Sequence, residues 1–344
     1  MCFLLPTIHN QGIEGVEEMR FNPKGDDTRP TIEDYPYTEL HDSYRRSRYD
    51  WNPNEHDDSI LRITKSSLGT FNWCKMQYWL QYFAGLRGET VYYHTRGLNV
   101  HDAVEYFWEK VVSQEVDIRK ALDSGNREQA RALMHDIIPH PPEPYEYGEE
   151  EQIRQWVDWQ FERFEHTDGY DWLPVNVEAN IHATRIVEVD DTPIPVHLRG
   201  YIDTIFLNDD GDGYALMELK TGKWKKRSKT TAMRKEMQFY RMMLEHSPHH
   251  EYLPITHWGW EFPGGNIEGG EGTHIFYEPV KKARLIPSSV EKSIEKLVRA
   301  HVENDFPTPT SKEVRLGYSG SKCDYCGFVE QCPRFTGVPY EVEK

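Results

Sequence analysis

The chain has 344 residues, of which 38% are hydrophobic, enough for a core of native size in one large domain or two ordinary ones. With 40 basic and 57 acidic residues its formal charge is −17, which excludes whole-molecule attraction to DNA or anionic membranes, so any polyanion site must be local. No run of eighteen apolar residues occurs, and the opening Met1 to Ile8 is too short and uncharged for a secretory h-region, so neither membrane span nor export signal is expected and the location is read as cytoplasmic. Five cysteines, Cys2, Cys74, Cys323, Cys326 and Cys332, are an odd number in such a chain, which disfavours a disulfide framework and directs attention to metals.

Residues 1–58 lack periodicity, and from Glu14 to Asp58 acids outnumber bases thirteen to six, which describes an irregular acidic arm whose sequence specifies no partner. Ser66 and Ser67 read as an N-cap for a helix carrying Leu68, Phe71, Cys74, Tyr78 and Tyr82 on one face. A second helix is predicted over about 96–112, and residues 118–164 read as helical apart from a break at 140–147 with Pro139, Pro141, Pro142 and Pro144 around it. Residues 175–189 and 194–207 alternate as strands do, and the NDDGDG turn at 208–213 leads into a third strand over 214–220, making a hairpin. A helix over 235–245, a second hairpin from 255–262 and 273–280, an amphipathic helix over 288–304 and a loop-like tail complete the reading. The expected organisation is the arm 1–58 and one α/β domain over 59–344, with a helical insertion at about 113–170 and a cysteine segment at 318–336.

The informative stretch is Gly200 to Lys220, GYIDTIF and then ALMELKTGK. Glu218 and Lys220 are two apart on one strand and point to the same face of the sheet, with Asp203 on the strand before. Two carboxylates suit a hard cation such as Mg²⁺ that keeps several waters, and a lysine one pleat away suits the orientation or deprotonation of an attacking water. The plain alternative is a solvated ion pair, but Leu216, Met217 and Leu219 enclose Glu218, where an unpaired charge is costly. An EF-hand-like reading of Asn208, Asp210, Asp212 and Gly213 fails because position twelve is Leu219, leaving turn chemistry. His101 and Glu105 share a helical face and Glu178 lies on the preceding strand, so these are further candidates for a metal such as Mn²⁺.

Eight bases and no acid fall between Lys220 and Lys235: Lys220, Lys223, Lys225, Lys226, Arg227, Lys229, Arg234 and Lys235. A charge run is usually a solvated loop, yet its position after the Glu218 strand suits a phosphate-tracking funnel in which Trp224 stacks on a base. Cys323, Cys326 and Cys332 read C-x2-C-x5-C followed by Pro333, a compact wrap for a metal or an iron–sulfur cluster, with Cys74 as fourth donor. Spacing alone leaves zinc and a cluster open.

Together, His101, Asp203, the Glu218-Leu219-Lys220 triplet, Gln238 and Tyr240, and one upstream plus three downstream cysteines resemble the RecB-like branch of the PD-(D/E)XK nucleases, over roughly residues 60–335. The cysteine layout is similar to that of the iron–sulfur exonucleases of CRISPR adaptation and of AddB-type nuclease domains. The resemblance implies a restriction-endonuclease-like mixed sheet flanked by helices with the chain ends stapled by a cluster. It implies metal ligands at His101, Asp203, Glu218 and the Leu219 carbonyl, a catalytic Lys220, and Gln238 and Tyr240 positioning DNA or water. The family motif usually separates glutamine and tyrosine by three residues, a spacing from Tyr240 that Glu236 occupies, so the sequence leaves open whether Gln238 or Glu236 fills that position. The implied cofactors are Mg²⁺ or Mn²⁺ and a 4Fe-4S cluster at Cys74, Cys323, Cys326 and Cys332; the implied function is a metal-dependent, single-strand-preferring DNA exonuclease acting in repair, recombination, viral replication or CRISPR adaptation. A non-catalytic iron–sulfur DNA-binding scaffold on the same fold is the alternative, and the intact D…ELK argues against it.

Overall fold

A computed structural model describes residues 61–84, 86, 88, 92–138, 145–167, 172–208, 211–224, 230–247, 250–265, 272–280, 285–315 and 320–337. The expected acidic arm, the proline-rich stretch 139–144, Asp210 and the bases Lys225, Lys226, Arg227 and Lys229 lie outside the described residues.

The chain enters through β1 (Leu61–Thr64), and Thr64 caps α1 (Lys65–Trp73). The Thr64 hydroxyl accepts the Ser67 N–H and the Ser67 hydroxyl accepts the Thr64 N–H, a reciprocal box that satisfies otherwise orphaned donors. The cap therefore falls two residues before the serines expected from sequence, because β1 delivers Thr64 in extended conformation. Next come α2 (Lys75–Tyr78), continued by a wide turn at Trp79–Phe83, then α3 (Tyr92–Asp123), α4 (Arg127–His135) and α5 (Glu149–Glu165). The strands β2 (Asn176–Val189), β3 (Thr192–Leu207) and β4 (Tyr214–Leu219) follow, then α6 (Thr230–His246), β5 (Ile255–Phe262), β6 (His274–Pro279) and α7 (Leu285–Glu303). The tail ends in α8 (Pro333–Thr336).

The six strands among the described residues form one mixed sheet in the order β1-β3-β4-β5-β6, with β2 also on β3. β1 runs parallel to β3 and β4 parallel to β5, while β2-β3, β3-β4 and β5-β6 are antiparallel. Both expected hairpins are present. β1 was not anticipated, since a four-residue strand is too short to display a period.

Each face of the sheet is covered. On one side Met237, Tyr240 and Met243 of α6 and Ile294, Leu297 and Val298 of α7 pack on Ile181, Leu198 and Leu216. On the other, Phe107 and Trp108 of α3 and Trp156 and Phe161 of α5 pack on Val177, Phe206 and Met217. Burial of this apolar area, at about 25 cal/mol per Å², supplies the main stabilising term. Gly200 permits the close approach of α6 to β3: a β-carbon there would lie 2.9 Å from both Tyr240 and Met243.

Candidate active site

Thr204 of β3 opposes Met217 of β4 and Val177 of β2, so the adjoining rung carries Glu178, Asp203 and Glu218 in a row across three strands. Residues opposite one another on neighbouring strands share a face, and like charges so placed repel. Glu178 sits where the β2-β3 ladder is interrupted, with a φ of 48°, a left-handed conformation costing a non-glycine residue on the order of 1–3 kcal/mol. The other edge of β3 pairs with β1 over Val196–Arg199 and with β4 over Thr204–Leu207. Between them, residues 200–203 have no strand partner on that edge among the described residues. There the sheet opens into a cavity of about 930 Å³, whose wall includes Lys65, His101, Asp203, Glu218, Lys220 and Glu236.

Electrostatics explain why so many acids tolerate one place. Burial alone would raise the Glu218 carboxyl, but Lys220 and Lys65 hold it down to about 2. Lys220 Nζ donates to Glu218 Oε1 at 3.1 Å and to Glu236 Oε2 at 2.8 Å. Lys65 Nζ donates to the same Glu218 oxygen and stands 5.0 Å from the centroid of the Tyr240 ring. Burial and the Glu218 charge push Asp203 up, although its Oδ2 accepts the Leu219 N–H at 2.6 Å. Burial, then Asp203, Glu105 and Glu218, push Glu178 up to about 8.

A cation would relieve this crowding, and the residues fit one. His101 Nδ1 lies 3.8 Å from Asp203 Oδ2. His101, Glu178 and Asp203 present ligand atoms within 4.8 Å of one another, a grouping of three that no other His, Cys, Asp or Glu side chains make among the described residues. Glu218 Oε2 is buried without a hydrogen-bond partner, an acceptor aligned with the same need.

His101, Asp203, Glu218, Leu219, Lys220, Lys223 and Tyr240 thus meet at the cavity. Gln238 does not: it is 5% exposed and absent from the cavity wall, whereas Glu236, one helical turn before Tyr240, is on it. Gln238 as a residue positioning DNA or water is corrected on that ground, because a two-residue step on a helix turns away from the shared face. Trp224 is corrected too. It is 6% exposed, stacked on Phe276 and His274 and packed on Phe262, so its ring is unavailable to a base. Arg234 is committed to the buried Glu278 carboxylate through two hydrogen bonds, and Lys235 lies outside the cavity wall.

One residue of the site, Lys65, escaped the sequence reading. Lys65 opens α1 directly after β1, and the signal for it was the cap sequence TKSS, read two residues late. Glu236 was legible from its spacing to Tyr240.

Cys74 also departs from expectation. It is not within a helix: at φ −159° and ψ 116° it separates α1 from α2. The break leaves carbonyls at the end of α1, and Lys322 Nζ donates to that of Trp73 at 2.9 Å, tying the tail to this turn. Cys74, Cys323, Cys326 and Cys332 line one small pocket, against which Met76, Leu80 and Phe328 pack. Burial pushes the Cys326 and Cys332 thiols up, and the neighbouring cysteines act in the same direction.

The PD-(D/E)XK nuclease superfamily model matches residues 62–333, and the chain belongs to that superfamily. No curated protein matches the chain. A solved structure described as "Crystal structure of SSO0001" is similar at 12% identity and a TM-score of 0.33, covering 79% of this chain and 86% of that one, a likeness too slight to carry an argument. No helix among the described residues is long and apolar enough to cross a membrane.

Proposed function

We propose that the protein is a metal-dependent DNA nuclease of the RecB-like branch, working as a single-strand-preferring exonuclease, with residues 59–344 as one catalytic domain. The observation that carries this is the row of Glu178, Asp203 and Glu218, of which Asp203 and Glu218 stand with Lys220 on the wall of a cavity of about 930 Å³. His101, Glu178, Asp203, Glu218 and the Leu219 carbonyl would hold Mg²⁺ or Mn²⁺, which supplies Lewis acidity and neutralises charge on the phosphate. Lys220 orients the attacking water and stabilises negative charge, and Glu236 fixes the lysine by its 2.8 Å contact. Lys65 on the same Glu218 oxygen keeps that carboxylate ionised and aimed. Tyr240 walls the site behind Lys65, and Lys223 with the adjoining bases Lys225, Lys226, Arg227 and Lys229 would meet phosphates.

For the cysteines we favour a 4Fe-4S cluster over zinc. What supports this is the layout of one upstream and three downstream cysteines lining one pocket, which resembles the cluster ligands of that branch.

An end-labelled oligonucleotide time course with Mg²⁺ or Mn²⁺, single-stranded against duplex, tests the reading. Progressive shortening of the single strand that stops with chelator and with Glu218→Ala is expected; undiminished degradation by purified Glu218→Ala protein overturns it. Iron and sulfide analysis of anaerobically purified protein tests the cluster, and zinc without iron overturns that part.

A further inference from the structure

Two large aromatic side chains on the cavity wall are turned to solvent, Trp73 at 42% and Tyr201 at 45% exposure. Solitary exposed aromatics are ordinary on protein surfaces. These two share one cavity, and each is paired with a cation. The Lys322 ammonium stands 4.6 Å from the Trp73 ring centroid while donating to the Trp73 carbonyl. The Arg199 guanidinium lies 5.3 Å from the Tyr201 ring and donates to its hydroxyl at 2.6 Å. An aromatic face beside a cation is the combination that holds an unpaired base and its phosphate: the ring offers stacking that any base satisfies, the cation a counter-charge.

The placement of the pairs relates them to the chemistry. Arg199, Tyr201 and Asp203 alternate along β3, so Tyr201 is one pleat, about 6.6 Å, from the candidate metal ligand. Trp73 is at the end of α1 and lines both the catalytic cavity and the cysteine pocket. Arg62 and Lys223 add positive charge to the same wall, in a chain of net charge −17. The cysteine segment, through Lys322, holds Trp73 in place without touching the carboxylates.

We infer that Trp73 and Tyr201 are base-stacking subsites that seat unpaired nucleotides of single-stranded DNA in the cavity that holds Asp203 and Glu218. The inference rests on the nuclease reading above and adds to it the residues that discriminate single strand from duplex. A stacked pair in a duplex has no free face to offer these rings, whereas each unpaired base does.

The test is binding of a labelled single-stranded oligonucleotide and of its blunt duplex, in chelator so that nothing is cut. Trp73→Ala and Tyr201→Ala should each weaken single-strand binding roughly 5- to 100-fold, with duplex binding within twofold of wild type. Trp73→Phe and Tyr201→Phe, which keep a ring, should restore most of the loss. Trp73→Ala could also disturb the cysteine site, so its iron content is measured alongside; Tyr201, away from the cysteines, decides alone if iron is lost. Normal single-strand affinity in both alanine variants, or equal loss on duplex and single strand, overturns the subsite. If wild type degrades the oligonucleotide while the variants bind normally, the subsite fails and the nuclease reading stands. A wild type that neither binds nor degrades DNA sinks the nuclease reading itself, and the subsite with it.

Discussion

The catalytic cavity and the cysteine pocket join distant parts of the chain by opposite means. In the cavity, carboxylates from three neighbouring strands are forced into one row by sheet register, and lysines from β1-α1 and β4 offset the repulsion. In the cysteine pocket no register operates: Cys74 and the tail, 249 positions apart at Cys323, meet through a helix break, a lysine on a carbonyl and a small apolar cluster. The first site is built on the sheet, where a bound cation would relieve charge. The second rests on a small apolar cluster, where a bound ligand would supply stability that holds the tail on. One site should therefore fail in chemistry, the other in folding.

The sharpest way to break this contrast is to alter the row itself. Asp203→Ala, Glu218→Ala and Lys220→Ala should each lower cleavage on the order of a thousandfold or more, with a melting temperature near that of wild type, because ligand, water orientation and charge stabilisation act as one unit. Steady-state cleavage beside thermal unfolding checks both halves. A variant that loses activity only in proportion to unfolding would erase the distinction.

At the cysteine pocket the order reverses. Closing a loop of about 250 residues removes unfolded-state entropy equivalent to about 5.5 kcal/mol on the chain-entropy scale. Cys74→Ala or Cys332→Ala should accordingly lower the melting temperature by about 10 °C or more and abolish iron binding. Cleavage should fall only as folded protein is lost, and Cys2→Ala should change neither reading.

Lys65 lies between these extremes, since its ammonium is bonded to Glu218. Lys65→Met should reduce activity or metal affinity roughly 10- to 100-fold, the range for removing a partner that orients a metal ligand, while Lys65→Arg recovers part of it. A metal titration of cleavage separates the two effects.

The smallest effect is a slope. With its carboxyl raised to about 8 by burial and Asp203, Glu178 is protonated in the metal-free folded protein at neutral pH and ionised in the unfolded chain. Its contribution to metal-free stability is present below the ordinary carboxylate range and is lost as pH rises through about 8. A divalent cation displaces that proton, so metal affinity should rise with pH up to about 8 and level off above it. Glu178→Gln should flatten both the stability slope and the metal slope, which calorimetry across pH 5 to 9 measures.

The local sequence determined the elements whose physics is local. Alternation marked β2 to β6, apolar spacing marked α3, α6 and α7, and the NDDGDG turn marked the β3-β4 hairpin, where Asn208 Nδ2 donates to Asp212 Oδ1 at 2.6 Å. The D…ELK triplet was legible for the same reason, since strand period alone puts Glu218 and Lys220 on one face. Only the tertiary structure decided what depends on partners far away in the chain. That β1 and β4 flank different halves of β3 opens the cavity, and that opening brings Lys65 onto Glu218 across 153 positions. Trp224 looked like a base platform beside a basic run, but the hydrophobic packing of β5 and β6 claimed its ring. Cys74 kept its role as a candidate ligand while its backbone left the helix, because the tail that packs there competes successfully with one turn of helix propensity. Periodicity reports which face a residue is on; which other face meets it is set by burial of the whole core, and no short window of sequence contains that information.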